Sequence, residues 1–245
     1  NGTITTSTLV EFSLISGKTV SSISCGENHS IILHTDGTIY GCGYNAHGQL
    51  GNGTTTDSSI LVEMTNTTGL TPSQVVCGEN YTIVKMSNGS VYGTGENFYG
   101  QLGDGTNISR TTLTLVSGVS GKTVSSVSAG SNHTMFLNSD GTIYGCGYNA
   151  VGQLGIGYSL TSVRLMRELT NSTGKTPQSI ISSFDNTFVI MTDNSAYACG
   201  LNINGQLGLA NFQFPESVPR ISEPCRETCR LSEHNWAKSG WGSAS

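Results

Sequence analysis

Two histidines at matching positions are the first candidates for chemistry in this chain. His29 and His133 each end a Gly-x-Asn-His sequence, and histidine is the side chain best suited to proton transfer near neutral pH. Tyr81 and Asn186 occupy the corresponding positions elsewhere. A catalytic or metal-binding role would not tolerate that exchange, so we expect these histidines to make structural hydrogen bonds. We predict no catalytic residue and no enzymatic activity.

Cysteine is the second residue type with reactive chemistry, and the chain has seven. Five of them fall at two recurring positions, where Ala129, Ser182 and Thr94 also occur. Exchange with small residues indicates half-buried packing sites rather than disulfide partners or ligands. An odd, scattered set favours a reducing compartment. The recurring cysteines are Cys25, Cys77, Cys42, Cys146 and Cys199.

The C-terminal segment 225–245 holds the remaining candidates for a metal site. Cys225, Cys229 and His234 form a C-x3-C-x4-H pattern, which lacks a fourth ligand and is not a standard zinc spacing. We therefore predict no metal, and leave open a local disulfide or free thiols. The segment carries both tryptophans and matches no repeat, so it is a linker, a docking peptide or residues foreign to the natural chain.

Glycine-rich stretches and glycosylation sequons complete the chemical inventory. Stretches such as Gly41-Cys42-Gly43 follow strands but open no helix, so no phosphate-binding loop and no cofactor is predicted. The nine N-x-[ST] sequons exceed the chance expectation and favour a secreted or virion-surface glycoprotein. They begin at Asn1, Asn28, Asn52, Asn66, Asn80, Asn88, Asn107, Asn132 and Asn171.

An internal repeat positions these residues, apart from those of segment 225–245. The tetrapeptide GQLG begins at Gly48, Gly100, Gly152 and Gly205, at spacings of 52, 52 and 53 residues. Each copy follows an alternating run, a GENH-like motif, a second apolar run, a tight turn and a return strand. Asp or Asn followed by Gly is typical of such hairpin turns. The pattern predicts one small antiparallel sheet per repeat.

A single sheet of this size cannot bury both of its faces, so neighbouring sheets must stack. Radial stacking protects the strand edges and gives a β-propeller. The order of GENH, DGTIYGCGYN and GQLG resembles the regulator of chromosome condensation repeat family, including the alpha-tubulin suppressor-like proteins. The resemblance covers about residues 1–224 and implies a seven-bladed ring.

We accordingly predict an all-β propeller with about four complete blades and a partial N-terminal blade. Because this arc is incomplete relative to a seven-bladed ring, we expect a fragment of a longer protein or completion by another chain. The predicted units are a partial blade at 1–16, blades at 17–68, 69–120, 121–173 and 174–224, and a non-repeat tail at 225–245.

Partner recognition should lie where the repeats differ, because their shared residues specify the blade. The variable positions flank GQLG, and several hold side chains that are bulky for exposed loops. Buried aromatic anchors dominate many interfaces. The predicted partner-binding residues are His47, Phe98, Tyr99, Tyr158, Phe212 and Phe214.

The predicted function is a non-catalytic scaffold for protein–protein interaction, with a partner of unknown identity. The family resemblance implies an alternative, nucleotide exchange on a Ran-like GTPase, but the inserted β-wedge that carries exchange in the founding member is missing from these repeats. The third alternative is the structural or surface glycoprotein that the sequons favour.

Composition limits the partners further. The net charge is −5, and residues 1–109 hold eight acidic and two basic residues. No concentrated basic face is visible, so nucleic acid is not an expected partner. No apolar run is long enough to span a bilayer. The compartment stays open between a cytoplasmic site, which the cysteines favour, and a secreted or virion surface.

Overall fold

The computed structural model describes residues 17–117 and 121–208, and all regular structure in these ranges is β-strand. The strands are β1 (Val20–Cys25), β2 (His29–His34), β3 (Ile39–Gly43), β4 (Ser58–Glu63), β5 (Pro72–Cys77), β6 (Tyr81–Met86), β7 (Val91–Gly95), β8 (Arg110–Leu115), β9 (Val124–Ala129), β10 (His133–Asn138), β11 (Ile143–Asn149), β12 (Leu160–Glu168), β13 (Pro177–Ser183), β14 (Asn186–Met191) and β15 (Ala196–Gly200).

Consecutive strands pair in an antiparallel manner and form four separate sheets. The sheet orders are β1-β2-β3-β4, β5-β6-β7-β8, β9-β10-β11-β12 and β13-β14-β15. Tight turns join the second and third strands: Leu33 pairs with Ile39 across a turn in which Gly37 has a φ of 82°. Asn194 adopts a φ of 65° in the fourth sheet, a conformation that asparagine tolerates better than most residues.

Three hydrophobic clusters hold the sheets together, one between each pair of neighbours. Leu50 and Ile31 of the first sheet pack with Met86 of the second. The second and third sheets share a cluster that includes the buried rings of Tyr81 and Phe136, and the third cluster joins the third and fourth sheets. The second and third sheets thus bury both faces against neighbours, as the repeat predicts, whereas the first and fourth each have one neighbour among the described residues. The predicted all-β fold is confirmed.

The first strands of the sheets lie along a common inner edge. β1 contacts β5, β5 contacts β9, and β9 contacts β13. Backbone hydrogen bonds continue this edge through the turns that follow: Glu27 N donates to Glu79 O, Glu79 N to Ser131 O, and Ser131 N to Phe184 O. β4, β8 and β12 form the opposite, outer edges. The blade boundaries proposed from sequence remain a prediction, and the partial blade at 1–16 and the tail at 225–245 lie outside the described residues.

The two histidines each connect one sheet to the next. The Nε2 atom of His29 lies 3.1 Å from Thr82 Oγ1, and that of His133 lies 3.0 Å from Thr187 Oγ1. Tyr81 serves the same purpose, because its hydroxyl donates to Gly130 O at 3.1 Å. The expected structural hydrogen bonds are therefore present at Nε2, whereas the buried Nδ1 atoms of both histidines have no partner.

The recurring cysteines also connect sheets, which explains their exchange with threonine. Cys146 Sγ donates to Gln101 O at 3.5 Å, and Thr94 Oγ1 donates to Gly48 O at 2.8 Å from the corresponding position. The expectation of half-buried sites holds for Cys77, whereas Cys146 is buried and Cys25 is exposed. Cys25 is exposed because it lies in β1, where no preceding sheet is present among the described residues.

Several sequons have a structural source in these turns. Asn52 Oδ1 accepts from Thr54 Oγ1 at 2.8 Å, and Asp104 makes the same contact with Thr106 Oγ1 at 2.8 Å one repeat later. An Asn or Asp that bonds the residue two places on forms an Asx-turn. Asn88 and Ser90 repeat the arrangement. The N-x-[ST] pattern at these positions therefore specifies a turn in which aspartate is an equivalent choice.

Candidate functional site

Two sets of connections lie at one end of the stacked sheets. The rim turns, which join the first and second strands, are residues 26–28, 78–80, 130–132 and 184–185. The tip loops, which include GQLG, are residues 44–51, 96–103, 148–155 and 201–208. Each follows a third strand, except that the third loop begins with the last two residues of β11, Tyr148 and Asn149. Antiparallel pairing brings the end of the third strand back to the end of the first. We call this end the tip face.

Hydrogen bonds fix each tip loop to its rim turn. Tyr44 N donates to Asn28 O at 2.8 Å, and Glu96 N donates to Asn80 O at 2.9 Å. The third and fourth loops repeat this bond with Asn132 O and Asp185 O. The two sets of connections therefore form one continuous surface.

An asparagine and a glutamine hold the second tip loop in shape. Asn97 Oδ1 accepts from Leu102 N at 2.9 Å, and Asn97 Nδ2 donates to Ile108 O at 3.2 Å. Gln101 Oε1 accepts from Tyr99 N at 3.0 Å. The same two acceptor contacts recur in the other loops, at Asn45 and Gln49, Asn149 and Gln153, and Asn202 and Gln206.

This clamp was missed from the sequence, although its signal is present. An asparagine stands five residues before the leucine of every GQLG motif. The clamp leaves the two residues between asparagine and GQLG free to vary while their backbone is fixed. Binding residues on a rigid support lose less entropy when a partner binds.

We predict that Asn97→Ala destabilises the protein by about 2 kcal/mol, because it leaves the buried Leu102 amide and two carbonyls without their partner. Amide hydrogen exchange should show faster exchange of Leu102, with little change at Leu50 in the first tip loop. Unchanged protection of Leu102 would contradict the clamp.

Aromatic rings link the first tip loop to the second. The ring of His47 lies 5.6 Å from that of Phe98, at 90°, and 6.0 Å from that of Tyr44. Both arrangements are edge-to-face, which is favourable for aromatic pairs. Phe98 is 59% exposed. Two of the predicted binding residues, His47 and Phe98, are therefore brought together on the tip face.

A second ring pair links the second loop to the third. The ring of Tyr99 lies 5.0 Å from that of Tyr148, and Tyr99 O accepts from Ser162 Oγ of β12 at 2.8 Å. Tyr148 and Tyr44 precede the clamp asparagines at the same repeat position, and neither was among the predicted binding residues. The signal was an aromatic residue at a fixed distance before GQLG.

The remaining predicted binding residues are not part of this aromatic group. Tyr158 is 46% exposed, and its carbonyl accepts from Asn149 Nδ2 at 2.8 Å. It lies in the connection to β12 rather than in a tip loop. Phe212 and Phe214 fall outside the described residues.

Carboxylates gather at the rim turns beside these rings. Glu79 accepts from Asn132 Nδ2 at 3.2 Å, and Asp185 accepts from Gln153 Nε2 at 3.1 Å. Burial raises the pKa of Glu79, and the nearby charges of Glu27 and Glu96 raise it further. Burial also raises the pKa of Asp185. Burial and neighbouring negative charges both disfavour the charged form of a carboxylate.

No lysine or arginine occurs in the rim turns or tip loops. Lysines instead lie at the opposite end, where Lys122 pairs with Asp140 and Lys175 pairs with Asp193 at 2.8 Å. These lysines already have partners of opposite charge. The rim turns and tip loops are therefore both acidic and aromatic, although Arg164 of β12 lies against Gly100 of the second tip loop.

The fourth rim turn adds a further exposed ring. Phe184 is 65% exposed and has a φ of 51°, which is unusual for a bulky residue. Phe184 directly precedes Asp185 and occupies the repeat position that Glu79 holds in the second rim turn. The only signal in the sequence was indirect, the loss of the GENH pattern at this point.

Stacked antiparallel sheets with a shared inner edge, joined by these clamped loops, define a propeller-type repeat protein. Two sequence profiles, both described as the regulator of chromosome condensation (RCC1) repeat, match the chain. One matches residues 20–49, 73–101 and 124–153, and the other matches 36–84 and 88–137. The chain belongs to the regulator of chromosome condensation repeat family.

Curated relatives are about one-third identical to this chain over the aligned residues. The "Ultraviolet-B receptor UVR8" of Arabidopsis thaliana is 32% identical over 209 residues, which cover 84% of this chain and 47% of the receptor. The human "X-linked retinitis pigmentosa GTPase regulator" is 32% identical over 259 residues, covering 84% of this chain and 25% of the regulator. The chain thus spans half or less of the length of these relatives.

A solved structure agrees on the fold. Prp20p from Saccharomyces cerevisiae aligns with a TM-score of 0.70 at 20% identity, covering 85% of this chain and 52% of the other. Prp20p is described together with its binding properties to Gsp1p and histones. No helix in residues 17–117 and 121–208 has the length and apolar character needed to cross a membrane.

Proposed function

We propose that this protein is a non-catalytic scaffold that binds a protein partner through the tip face. The observation that carries the proposal is the linked set of aromatic rings, His47 with Phe98 and Tyr99 with Tyr148, on hydrogen-bonded loops. Exposed aromatic residues on a rigid support are typical centres of protein interfaces.

The distribution of constant and variable residues supports the same conclusion. The clamp asparagines and glutamines recur in all four loops, whereas the tips hold Ala46-His47, Phe98-Tyr99, Ala150-Val151 and Ile203-Asn204. A repeat that keeps its support and varies its tips presents a different surface in each unit. Such a surface suits recognition of one extended partner better than catalysis at a single point.

We predict that the double substitution Phe98→Ala and Tyr99→Ala weakens binding of the partner by more than tenfold, because each ring contributes on the order of 1 to 2 kcal/mol at an interface. The experiment immobilises the protein, captures partners from an extract of its source cells and quantifies them by mass spectrometry. Circular dichroism should show that the variant is folded.

Leu165→Ala provides the matched control. Leu165 is an exposed apolar residue of β12, on the outer edge of the third sheet, and its loss should leave capture unchanged. Equal recovery of every partner by wild type and the double variant would overturn the proposal.

A second candidate function is guanine-nucleotide exchange on a small GTPase. It is favoured by one relative named as a GTPase regulator and by the similarity to Prp20p, which is described as binding Gsp1p. The described strands form sheets of three or four, with no additional inserted hairpin in residues 17–117 and 121–208. Accelerated release of a fluorescent guanine nucleotide from a Ran-like GTPase would support exchange.

A further inference from the structure

We propose that the tip face binds an arginine-rich basic peptide segment of the partner protein. The carboxylates of the rim turns and Glu96 bind the guanidinium groups, and the exposed rings of the tip loops pack against the planes and stems of the same side chains. This inference rests on the proposed scaffold function and adds the chemical class of the partner.

Uncompensated negative charge is the first argument. A backbone hydrogen bond joins Glu27 to Glu79. Burial raises the pKa of Glu79, and the negative charges of Glu27, Glu96 and Asp185 raise it further. The described hydrogen bonds to Glu79 and Asp185 come from neutral amide groups. Carboxylates held together without a cation repel one another, and a cationic partner removes that cost.

The position of the rings beside these carboxylates is the second argument. The Nε2 atom of His47 lies 3.8 Å from Glu96 Oε2, so the edge-to-face pair of His47 and Phe98 borders a carboxylate. Phe184 directly precedes Asp185 and is exposed. Arginine suits such surfaces because its planar guanidinium stacks on aromatic faces while it donates to carboxylates.

An unpartnered donor is the third argument, and it indicates a peptide rather than a small cation. Gln49 is 0% exposed, and its Nε2 atom has no hydrogen-bond partner. The corresponding Nε2 atoms of Gln101 and Gln153 donate to the next rim turn, to Asn132 Oδ1 and Asp185 Oδ1. By correspondence with these two glutamines, we place the Nε2 donor of Gln49 towards the second rim turn. A peptide carbonyl is an acceptor of the kind that it lacks.

The charge of the tip face also separates this partner from the other classes of macromolecule. Nucleic acids and anionic lipid surfaces carry negative charge and are repelled by it. The opposite end of the sheets has lysines, but each of Lys18, Lys122 and Lys175 is paired with an aspartate. A basic peptide is the ligand that matches the unpaired charge.

The test measures binding of a fluorescein-labelled peptide of alternating glycine and arginine by fluorescence anisotropy. Peptides in which lysine or glutamate replaces every arginine serve as comparisons. We expect the arginine peptide to bind more tightly than the lysine peptide, the glutamate peptide not to bind, and the affinity to fall as salt is added. The double substitution Glu79→Gln and Glu96→Gln should weaken binding by more than tenfold.

Glu63→Gln with Glu168→Gln is the matched control. It removes the same charge from the opposite end of the sheets, where the two glutamates accept from Tyr40 and Tyr144, and it should change affinity less than twofold. Equal binding by wild type and the Glu79/Glu96 variant, or equal binding of the glutamate peptide, would overturn the inference.

The outcome of the capture experiment separates the two proposals. If wild type binds none of the peptides but still loses its partner on substitution of Phe98 and Tyr99, the basic-peptide inference fails and the scaffold function stands. If capture is also unaffected by that substitution, both proposals fail.

Discussion

Gly147→Ala is expected to destabilise the protein by about 3 to 4 kcal/mol, because it combines backbone strain with a steric overlap. Gly147 has a φ of +104°, and a Cβ atom there would lie 2.4 Å from Asn132 O and 2.8 Å from His133 Cα. Both contacts are with backbone of the third rim turn and the start of β10, so no side chain can move aside. Urea denaturation followed by circular dichroism measures the change.

Gly174→Ala is the control for the strain alone. Gly174 also has a positive φ, +69°, but nothing lies within 4 Å of the point where a Cβ atom would stand. We expect a loss of about 1 kcal/mol, which is the cost of the left-handed conformation for alanine. If the free energy of unfolding falls equally in both variants, the close approach of β11 to the rim turn does not explain the need for glycine at 147.

Acidification is expected to destabilise the protein below about pH 6.5 because two histidines are buried without charge. Burial lowers the pKa of His29 from 6.5 to about 4 and that of His133 to about 3. Below pH 6.5 the unfolded chain binds more protons than the folded protein. The contribution of the two histidines to the free energy of unfolding is therefore fully present above pH 6.5 and is lost as the pH falls towards their folded-state pKa values. Each histidine should cost about 2 kcal/mol between pH 7.5 and pH 5.

His29→Tyr isolates one of these contributions, because the protein already uses tyrosine at the equivalent position of the next repeat. Tyr81 reaches the backbone of the third sheet and accepts from Thr134 Oγ1 at 3.1 Å. Thr82 and Gly78 offer the same contacts to a tyrosine at 29. We expect stability within about 1 kcal/mol of wild type at pH 7.5 and a smaller loss at pH 5, by about 2 kcal/mol.

Urea denaturation of both proteins at the two pH values tests this expectation. Glu79 and Asp185 act in the opposite direction, because their pKa values are raised in the folded protein. Their protonation stabilises the folded protein as pH falls. They are unchanged in the variant and cancel in the comparison. A His29→Tyr protein that loses as much stability as wild type would show that His29 does not control acid sensitivity.

Much of the fold could be predicted from sequence because each repeat carries its own turns and strands. The Asp-Gly and Asn-Gly pairs and the alternating runs are local signals, and the fourfold recurrence of GQLG reinforced them. Exchange of His29 and His133 with tyrosine correctly indicated a structural role. The hydrogen bonds of these residues run to the next sheet, so the pattern alone did not show that Nδ1 would be left unpaired.

The candidate site was less predictable because it forms between repeats. Phe98 and His47 were selected as variable loop residues, but their contact depends on how neighbouring sheets stack. Glu96 did not stand out in the sequence, since tyrosine or leucine holds its position in the other loops. The sequons were also less predictable, because the hydrogen bonds by which Asn52 and Asp104 make the same turn are visible only in the structure.

The sequence by itself determined the repeat length, the strands and turns of each sheet, and the positions that vary, because these depend on residues close together in the chain. The tertiary structure alone decided that three of the four rim turns bring their carboxylates to one inner edge beside the linked rings. Residues about 52 positions apart meet only when sheets stack, and the ring contacts and uncompensated charge of the tip face arise from that stacking.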